Sequence, residues 1–429
     1  MTSVTAGAAT AGSGTAEAAR ESLANGLTVV VRENPAAPVV ALTLFVGVGS
    51  RDETVETNGV TALLGRVLLK GTRTRSALAL AQAADDAGGA LESGTEQEYS
   101  ELRARGLARH WPALLELLRD IATAPAFAAD EIERERETLL AQIRSLEDQP
   151  FQVANRLLSR ALYGTHPGGL PTSGEPESVT GLSRDALVRH FDAFVAPERM
   201  ILAVSGQVVA SEVVREVARV FGGLETRGGG GPAPPPPRGA ATPRVTEARP
   251  TQQTQLLAGF LAPPIGHPDY AALKVATAIL GAGMSGRLFR TLRDEEGLAY
   301  AVGSFYPTRR ETSRVVIYLG TAPANLSQAE RGIERQLTRL REEPVPADEL
   351  ARSQAFLSGS FDLDLRTNAR QGFYLGFFEL MGVGHAYVGR YRERLLGVTE
   401  ADVQRVARRY LAEPTVAIVG PIQTRSMSE

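Results

Sequence analysis

Side chains that commonly bind metals are scarce in this chain of 429 residues. Cysteine is absent, which excludes disulfides and thiolate metal sites and fits a reducing compartment. The histidines are His110, His166, His190, His267 and His385. None of them has a second histidine at the spacing of one helical turn. A catalytic zinc ion takes three imidazole or carboxylate ligands and leaves a fourth position for water, so these histidines do not predict a metal site.

The segment NGVTALLGRVLLKGT predicts an amphipathic helix from Val60 to Leu69. Its apolar residues recur at spacings of three and four and form a core-facing stripe: Val60, Leu63, Leu64, Val67 and Leu68. The other face carries Ala62, Gly65 and Arg66. Alanine and glycine offer no side-chain donor atom and a guanidinium repels a cation, so this face is not a metal site.

This segment resembles GxAHxxEHxxxKGT of the pitrilysin-like zinc metallopeptidases, the inverzincins, in which HxxEH supplies two zinc ligands and a catalytic glutamate. Aligned on the shared KGT, the first histidine falls on Ala62, the glutamate on Gly65 and the second histidine on Arg66. The third ligand of the family, a glutamate in a later helix, falls on Gln142. An earlier acid of that helix falls on Glu135. The resemblance implies that the helices persist while the zinc ligands are lost.

The segment GAGMSGRLFRTLRDEEGLAYAVGSFYP resembles the part of the same family in which SRLF precedes R-x-x-x-G-L-A-Y. The substrate-contacting arginine and tyrosine of the family fall on Arg293 and Tyr300. The resemblance implies that both side chains hold the scissile carbonyl and stabilise the oxyanion formed opposite zinc. Alternatively, Tyr300 packs at the start of a strand and Arg293 pairs with an acid such as Glu296.

A third segment, GGALESGTEQEYSEL, resembles the family strand GGxxNAxTSxxYT, which pairs with the peptide backbone of the substrate. Glu92 and Ser93 replace the usual asparagine and alanine, and Gly94 and Thr95 follow. The resemblance implies that these four residues bind substrate. Backbone pairing reads little sequence, so we expect broad peptide affinity.

Composition argues against several other classes of function. The formal net charge of -3, without a long basic block, does not favour nucleic acid as a partner. No run of about 18 apolar residues predicts a membrane span, and residues 1–22 lack a signal-peptide pattern, so we expect a cytoplasmic protein with a mobile tail. The glycine-rich GAGMSG lacks the spacing of a phosphate-binding loop.

The elements that must position these residues occur twice. Residues 225–250 are rich in glycine and proline and read as a linker. GLSRDALVRHFDAFVAPERMILAVSG before it resembles GVTEADVQRVARRYLAEPTVAIVG after it, with Ser183 and Thr399 as helix caps. ADEIERER and ADELARSQ form a second match in the same order. We therefore predict duplicated domains at residues 23–224 and 251–423.

Runs of strands beside runs of helices predict the α+β class. We expect two homologous domains, each a mixed β-sheet with helices packed on one face, which together form half of a clam-shell chamber. Such a half-chamber is useful only when it closes against another.

The resemblance implies a function for the chain as a whole. It is expected to be the non-catalytic subunit of a heterodimeric peptidase of the bacterial processing-peptidase-like branch. It would have no cofactor of its own, and zinc would sit in an HxxEH-bearing partner. The alternatives are a structural scaffold and a peptide-binding, chaperone-like chamber. A precursor peptide and an oligopeptide pool remain equally open as substrates.

Overall fold

A computed structural model describes residues 18–228, 235–237 and 242–421. The first half of the chain contains six strands and eight α-helices in the described residues. They are β1 Ala19–Ser22, β2 Thr28–Glu33, β3 Val39–Val46, α1 Val60–Leu68, α2 Ala77–Asp86, β4 Ala90–Thr95, β5 Ser100–Leu107, α3 Trp111–Thr123, α4 Ala129–Glu147, α5 Pro150–Tyr163, α6 Pro176–Gly181, α7 Arg184–Phe194, β6 Met200–Gly206 and α8 Ala210–Phe221.

The second half repeats much of this order. Its elements are β7 Arg244–Ala248, β8 Thr254–Ala262, α9 Tyr270–Gly281, a π-helical turn Phe289–Glu295, β9 Ala301–Phe305, β10 Ser313–Thr321, α10 Leu326–Glu342, α11 Ala347–Asp364, α12 Asn368–Leu380, α13 Tyr387–Leu396, α14 Glu400–Tyr410 and β11 Thr415–Gly420.

The two sheets have the same topology. The first has the order β1-β2-β6-β3-β5-β4 and the second β7-β11-β8-β10-β9. Without β1, each strand of the first sheet has an equivalent in the second. The β2–β6 and β7–β11 pairs are parallel, and the other neighbours are antiparallel. The prediction of two homologous α+β domains is thereby confirmed.

Helix caps in the repeated segment also correspond. The hydroxyl of Ser183 accepts a hydrogen bond from the backbone N–H of Ala186 at the start of α7. Thr399 accepts the equivalent bond from Asp402 at the start of α14. Each cap satisfies a backbone N–H that has no partner inside its helix, so both predicted helix starts are confirmed.

Each sheet carries the larger part of its core on one face. In the first sheet, Val29 and Val31 point toward α1, α3, α4 and α8, and the intervening Val30 points to the opposite face. In the second sheet, Leu256 and Ala258 face α9, α10 and α14, and Leu257 faces the other way. This alternation is the period of two expected for a strand covered on both sides.

The opposite faces are covered by an exchange of helices between the halves. Helix α5 of the first half packs on β8 and β11, and α12 of the second half packs on β3 and β6. Both contacts are close. A Cβ on Gly259 would lie 2.9 Å from Leu158, and a Cβ on Gly376 would lie 2.5 Å from the ring of Phe45. Glycine at these two positions lets helix and sheet approach.

Two strands fall inside segments that the sequence assigned to a tail and a linker. Strand β1 lies within residues 1–22, of which residues 1–17 are outside the described residues. Strand β7 lies within residues 225–250, of which residues 229–234 and 238–241 are also outside them. In the described ranges, no helix is both long enough and apolar enough to cross a membrane.

Candidate functional site: a zinc-site scaffold without zinc ligands

A buried carboxylate fixes the start of helix α1. Glu53 accepts hydrogen bonds from the backbone N–H groups of Gly59 at 2.8 Å and Thr61 at 2.9 Å, and from the Asn58 side chain at 2.8 Å. Gly59 has a φ of +96°, which glycine adopts without strain. Burial raises the pKa of Glu53, and these hydrogen bonds oppose that shift. A negative charge at a helix N-terminus is favourable, so Glu53 sets the position of α1.

His190 of α7 also contacts the first turn of α1, through Thr61. One ring nitrogen lies 2.9 Å from the hydroxyl of Thr61. Burial lowers the pKa of His190 to about 4, while Asp52 raises it and Arg199 lowers it further. The imidazole is therefore neutral at pH 7 and has a positioning role rather than a catalytic one.

Four polar side chains occupy the place where the family pattern would put the metal. Arg66 of α1 donates hydrogen bonds to Gln142 and, at 3.4 Å, to Glu135, both on α4. Lys70 lies 2.8 Å from the other carboxylate oxygen of Glu135. Two cations thus surround one carboxylate. The sequence predicted that positions 66 and 142 are equivalent to zinc ligands, and they do face each other across α1 and α4.

A cavity of about 550 Å³ opens beside this cluster. Ala62 and Gly65 line one wall of it, and β4 lines another. A Cβ on Gly65 would lie 3.2 Å from the hydroxyl oxygen of Thr95 and 3.8 Å from that of Ser93. Helix α1 and strand β4 are therefore closer here than a large side chain at position 65 would allow without adjustment.

The residues present do not fit a zinc ion. Ala62 and Gly65 carry no donor atom, and the Arg66 guanidinium would repel the cation. Gln142 has only a neutral amide oxygen, which already accepts a hydrogen bond from Arg66. Across the described ranges, no group of three histidine, cysteine, aspartate or glutamate side chains is placed to hold a metal ion.

Strand β4 lies at the edge of the first sheet, where one side of its backbone has no neighbouring strand. Its side chains alternate: Ser93 and Thr95 point toward α1, and Glu92 points to the other face. Glu92 forms ion pairs with Arg105 at 2.7 Å and Arg103 at 3.4 Å. All four predicted substrate residues, Glu92, Ser93, Gly94 and Thr95, line the cavity. Their role in binding stays a prediction.

Arg293 and Tyr300 belong to the second half and do not line this cavity. Arg293 lies in the π-helical turn, exposed, with its guanidinium 4.7 Å from the centre of the Phe289 ring. Glu296, the alternative partner considered for it, pairs with Arg335 at 2.5 Å. Tyr300 is 62% exposed at the start of edge strand β9, and its backbone N–H donates to Gly320. Neither side chain serves to fill the core.

Sequence reasoning missed one member of the polar cluster. Lys70 served only to align the KGT motif, yet its ammonium group neutralises Glu135. The signal available was spacing, because Lys70 follows Arg66 at the distance of one helical turn, although it lies just beyond the end of α1 at Leu68.

Comparison with known proteins decides the family. A model described as insulinase (peptidase family M16) matches residues 28–175, and one described as peptidase M16 inactive domain matches residues 181–357. The uncharacterized zinc protease YmxG of Bacillus subtilis is 30% identical over 92% of this chain and 97% of its own. The chain belongs to peptidase family M16. An uncharacterized zinc protease of Mycobacterium tuberculosis is 31% identical to the M16 chain, over 94% of it and 93% of the relative.

Solved structures confirm the M16 fold. A peptidase M16 inactive domain from Pseudomonas fluorescens superposes with a TM-score of 0.87 at 23% identity, over 95% of this chain and 98% of the other. A protease from Helicobacter pylori gives a TM-score of 0.86 at 19% identity, over 94% and 98%. The resemblance to zinc metallopeptidases, which was drawn from the segment that ends in KGT, is therefore confirmed at the level of family and fold.

Proposed function

We propose that this M16 chain is the non-catalytic subunit of a heterodimeric zinc metallopeptidase. A partner subunit with an intact HxxEH motif would hold the zinc ion. This chain would bind the peptide and contribute Arg293 and Tyr300 to the hydrolysis of its backbone. The cytoplasm is the proposed compartment.

The observation that carries the proposal is the contact of Arg66 with Gln142. The two helices that present zinc ligands in the family are retained and correctly opposed, but a guanidinium lies between them. A scaffold kept in this form without its metal is suited to binding peptide beside β4 rather than to activating water.

The exposure of Arg293 and Tyr300 supports the second part of the proposal. A guanidinium and a phenol can both donate to a carbonyl oxygen that gains negative charge during hydrolysis. In the described residues neither side chain is committed to a hydrogen bond or an ion pair with a neighbouring side chain. Both are thus available to a bound peptide.

A scaffold without a role in hydrolysis is the second candidate, favoured by the absence of a ligand set in the described residues. Co-expression with an HxxEH-bearing homologue from the same genome separates the two. We expect a one-to-one complex in size-exclusion chromatography with light scattering, and peptide cleavage only by the complex. A partner variant with HxxEH changed to AxxQA is the matched control, since it should assemble without cleaving. A chain that stays separate from every such homologue would contradict the proposal.

A further inference from the structure

A second cavity, of about 310 Å³, lies between the two halves of the chain. The end of α4, helix α5 and the loop 168–174 line one side, and Arg309 and Arg314 of the second half line the other. This cavity has no assigned role in the proposed function.

Arg314 is the unusual member of its lining. Arg314 is only 6% exposed. Its guanidinium donates hydrogen bonds to two neutral groups, which are the hydroxyl of Ser159 and, at 2.9 Å, the amide oxygen of Asn155. Its Nε has no partner in the described residues. No carboxylate there lies within ion-pair distance, and burial lowers the pKa of Arg314 to about 10, with a smaller contribution from Arg309. A buried cation without a counter-charge is costly unless a ligand supplies one.

The rest of the lining leaves positive charge in surplus. Among the residues that the structure describes, the Arg309 side chain donates only to the phenol oxygen of Tyr163, at 3.3 Å. Arg156 is already paired with Glu147 at 3.0 Å. The remaining carboxylate of the lining is Glu96, so two arginines face one acid. The cavity therefore has the charge and the donors to take an anion.

Its position suggests where that anion comes from. Thr172 and Ser173 line both this cavity and the one beside β4, and Glu96, the residue directly after β4, lines this one. The second cavity therefore lies next to the path of an extended peptide that pairs with β4 and continues past Thr95.

We propose that this cavity binds a carboxylate of the peptide, held by Arg309 and Arg314, so that acidic peptides are the preferred class. The assignment rests on the proposed function, in which a peptide lies along β4. Charge-assisted hydrogen bonds to a planar guanidinium suit a carboxylate, and a neutral amide of the same shape lacks the charge.

Fluorescence polarisation with two peptides tests this directly. The peptides share length and sequence, except that aspartate and glutamate in one are asparagine and glutamine in the other. At low ionic strength we expect the acidic peptide to bind roughly 10- to 100-fold more tightly to the chain. Arg314→Met and Arg309→Gln should each remove most of that preference. Arg310→Gln is the matched control, because Arg310 is exposed and outside the lining, and should keep it.

Each result has a distinct meaning. Equal affinity for both peptides, or a preference that survives in both variants, would overturn the carboxylate site while leaving peptide binding intact. Binding of neither peptide would count against the proposed function as well.

Competition with acetate and inorganic phosphate identifies the source of the anion. If phosphate stabilises the chain through Arg314 but the acidic peptide does not bind there, the ligand is a free anion and the peptide assignment is wrong. Circular dichroism and melting curves establish that each variant is folded, and Arg309→Gln, at a half-buried position, keeps the test open should Arg314→Met not fold.

Discussion

The guanidinium of Arg66 on α1 donates a hydrogen bond to the side-chain oxygen of Gln142 on α4. These two positions correspond, by resemblance, to the second and third zinc ligands of the family. A protein-borne cation thus replaces the metal cation between the same two helices.

The isolated chain should contain no stoichiometric zinc and should cleave no peptide. Ala62, Gly65, Arg66 and Gln142 provide no set of three ligands, so nothing there competes with a chelator. Elemental analysis after brief chelation, together with a peptide cleavage assay, measures both properties. One zinc ion per chain that resists chelation would contradict the loss of the metal site.

Restoring the ligands should restore metal binding. In the triple variant Ala62→His, Arg66→His and Gln142→Glu, two imidazoles one turn apart would face a carboxylate across the α1–α4 contact. Glu135 would remain neutralised by Lys70. We expect about one zinc ion per chain in elemental analysis, since three such ligands suffice.

The control for this experiment is the double variant that keeps Ala62, which offers only two ligands and should lose zinc on chelation. Gly65→Glu is left out at first because Thr95 lies 3.2 Å from a Cβ at that position. A folded triple variant without zinc would mean that α1 and α4 are not spaced as a metal site.

Tyr300→Phe should lower the turnover of the reconstituted complex by roughly 10- to 1000-fold, the range for loss of one oxyanion donor. Zinc content and assembly should not change, because Tyr300 is exposed and fills no core. Arg293→Ala should weaken peptide affinity as well as rate, since a guanidinium also binds ground-state carbonyls. The double variant should fall short of the sum of both effects. Wild-type turnover with Tyr300→Phe would leave this chain only the role of closing the chamber.

Stability should fall between about pH 6.5 and pH 4 because of His190. Burial holds its folded pKa near about 4, against an ordinary value of 6.5. The unfolded chain therefore binds a proton in this window that the folded chain does not, and acidification favours unfolding by up to roughly 3 kcal/mol.

Urea denaturation of the wild type and of His190→Gln, at pH 7 and at pH 4.5, isolates this contribution. Glu53 contributes to the pH dependence of stability with the opposite sign, because its raised pKa lets the folded state take up a proton more readily than the unfolded state. It is present in both proteins and cancels in the difference. The wild type should lose more stability than the variant on acidification, and parallel profiles would rule out His190 as the cause.

Gly376→Ala should destabilise the chain by about 1–3 kcal/mol. The added methyl group would meet the Phe45 ring at 2.5 Å, where α12 of the second half lies against the first sheet. Gly359→Ala in helix α11 is the control, since a Cβ there has open space and a helix gains about 1 kcal/mol from the same change. Urea denaturation of both variants compares them, and equal stability would mean that the α12 contact is loose.

The sequence predicted those parts of the fold that depend on local periodicity. The spacing of three and four in α1 identified its buried stripe, because a helix places such residues on one face wherever it packs. Ser183 and Thr399 could be recognised as caps for the same reason, since the cap bond involves only neighbouring residues. The opposed positions of Arg66 and Gln142 came from family resemblance, not from periodicity.

Long-range partners could not be predicted in this way. An amphipathic pattern shows that α5 buries Val153 and Leu158, but not that the covering sheet belongs to the other half of the chain. The pairing of Lys70 with Glu135 could not be predicted for the same reason. Long side chains can reach several neighbours, and only the tertiary fold defines which neighbours are present. The uncompensated charge of Arg314 is likewise visible only once α5 and β10 are in place.

The exchange of α5 and α12 also has a consequence for biosynthesis. The outer face of the first sheet, with Val30, Phe45 and Ala203, is covered by α12, which ends at Leu380 of 429 residues. On the ribosome this apolar face must therefore stay in contact with water, or with a chaperone, until most of the chain has been translated. The first half cannot complete its fold until α12 has been translated, and we expect the nascent first half to depend on holdase chaperones and the finished protein to unfold as one cooperative unit.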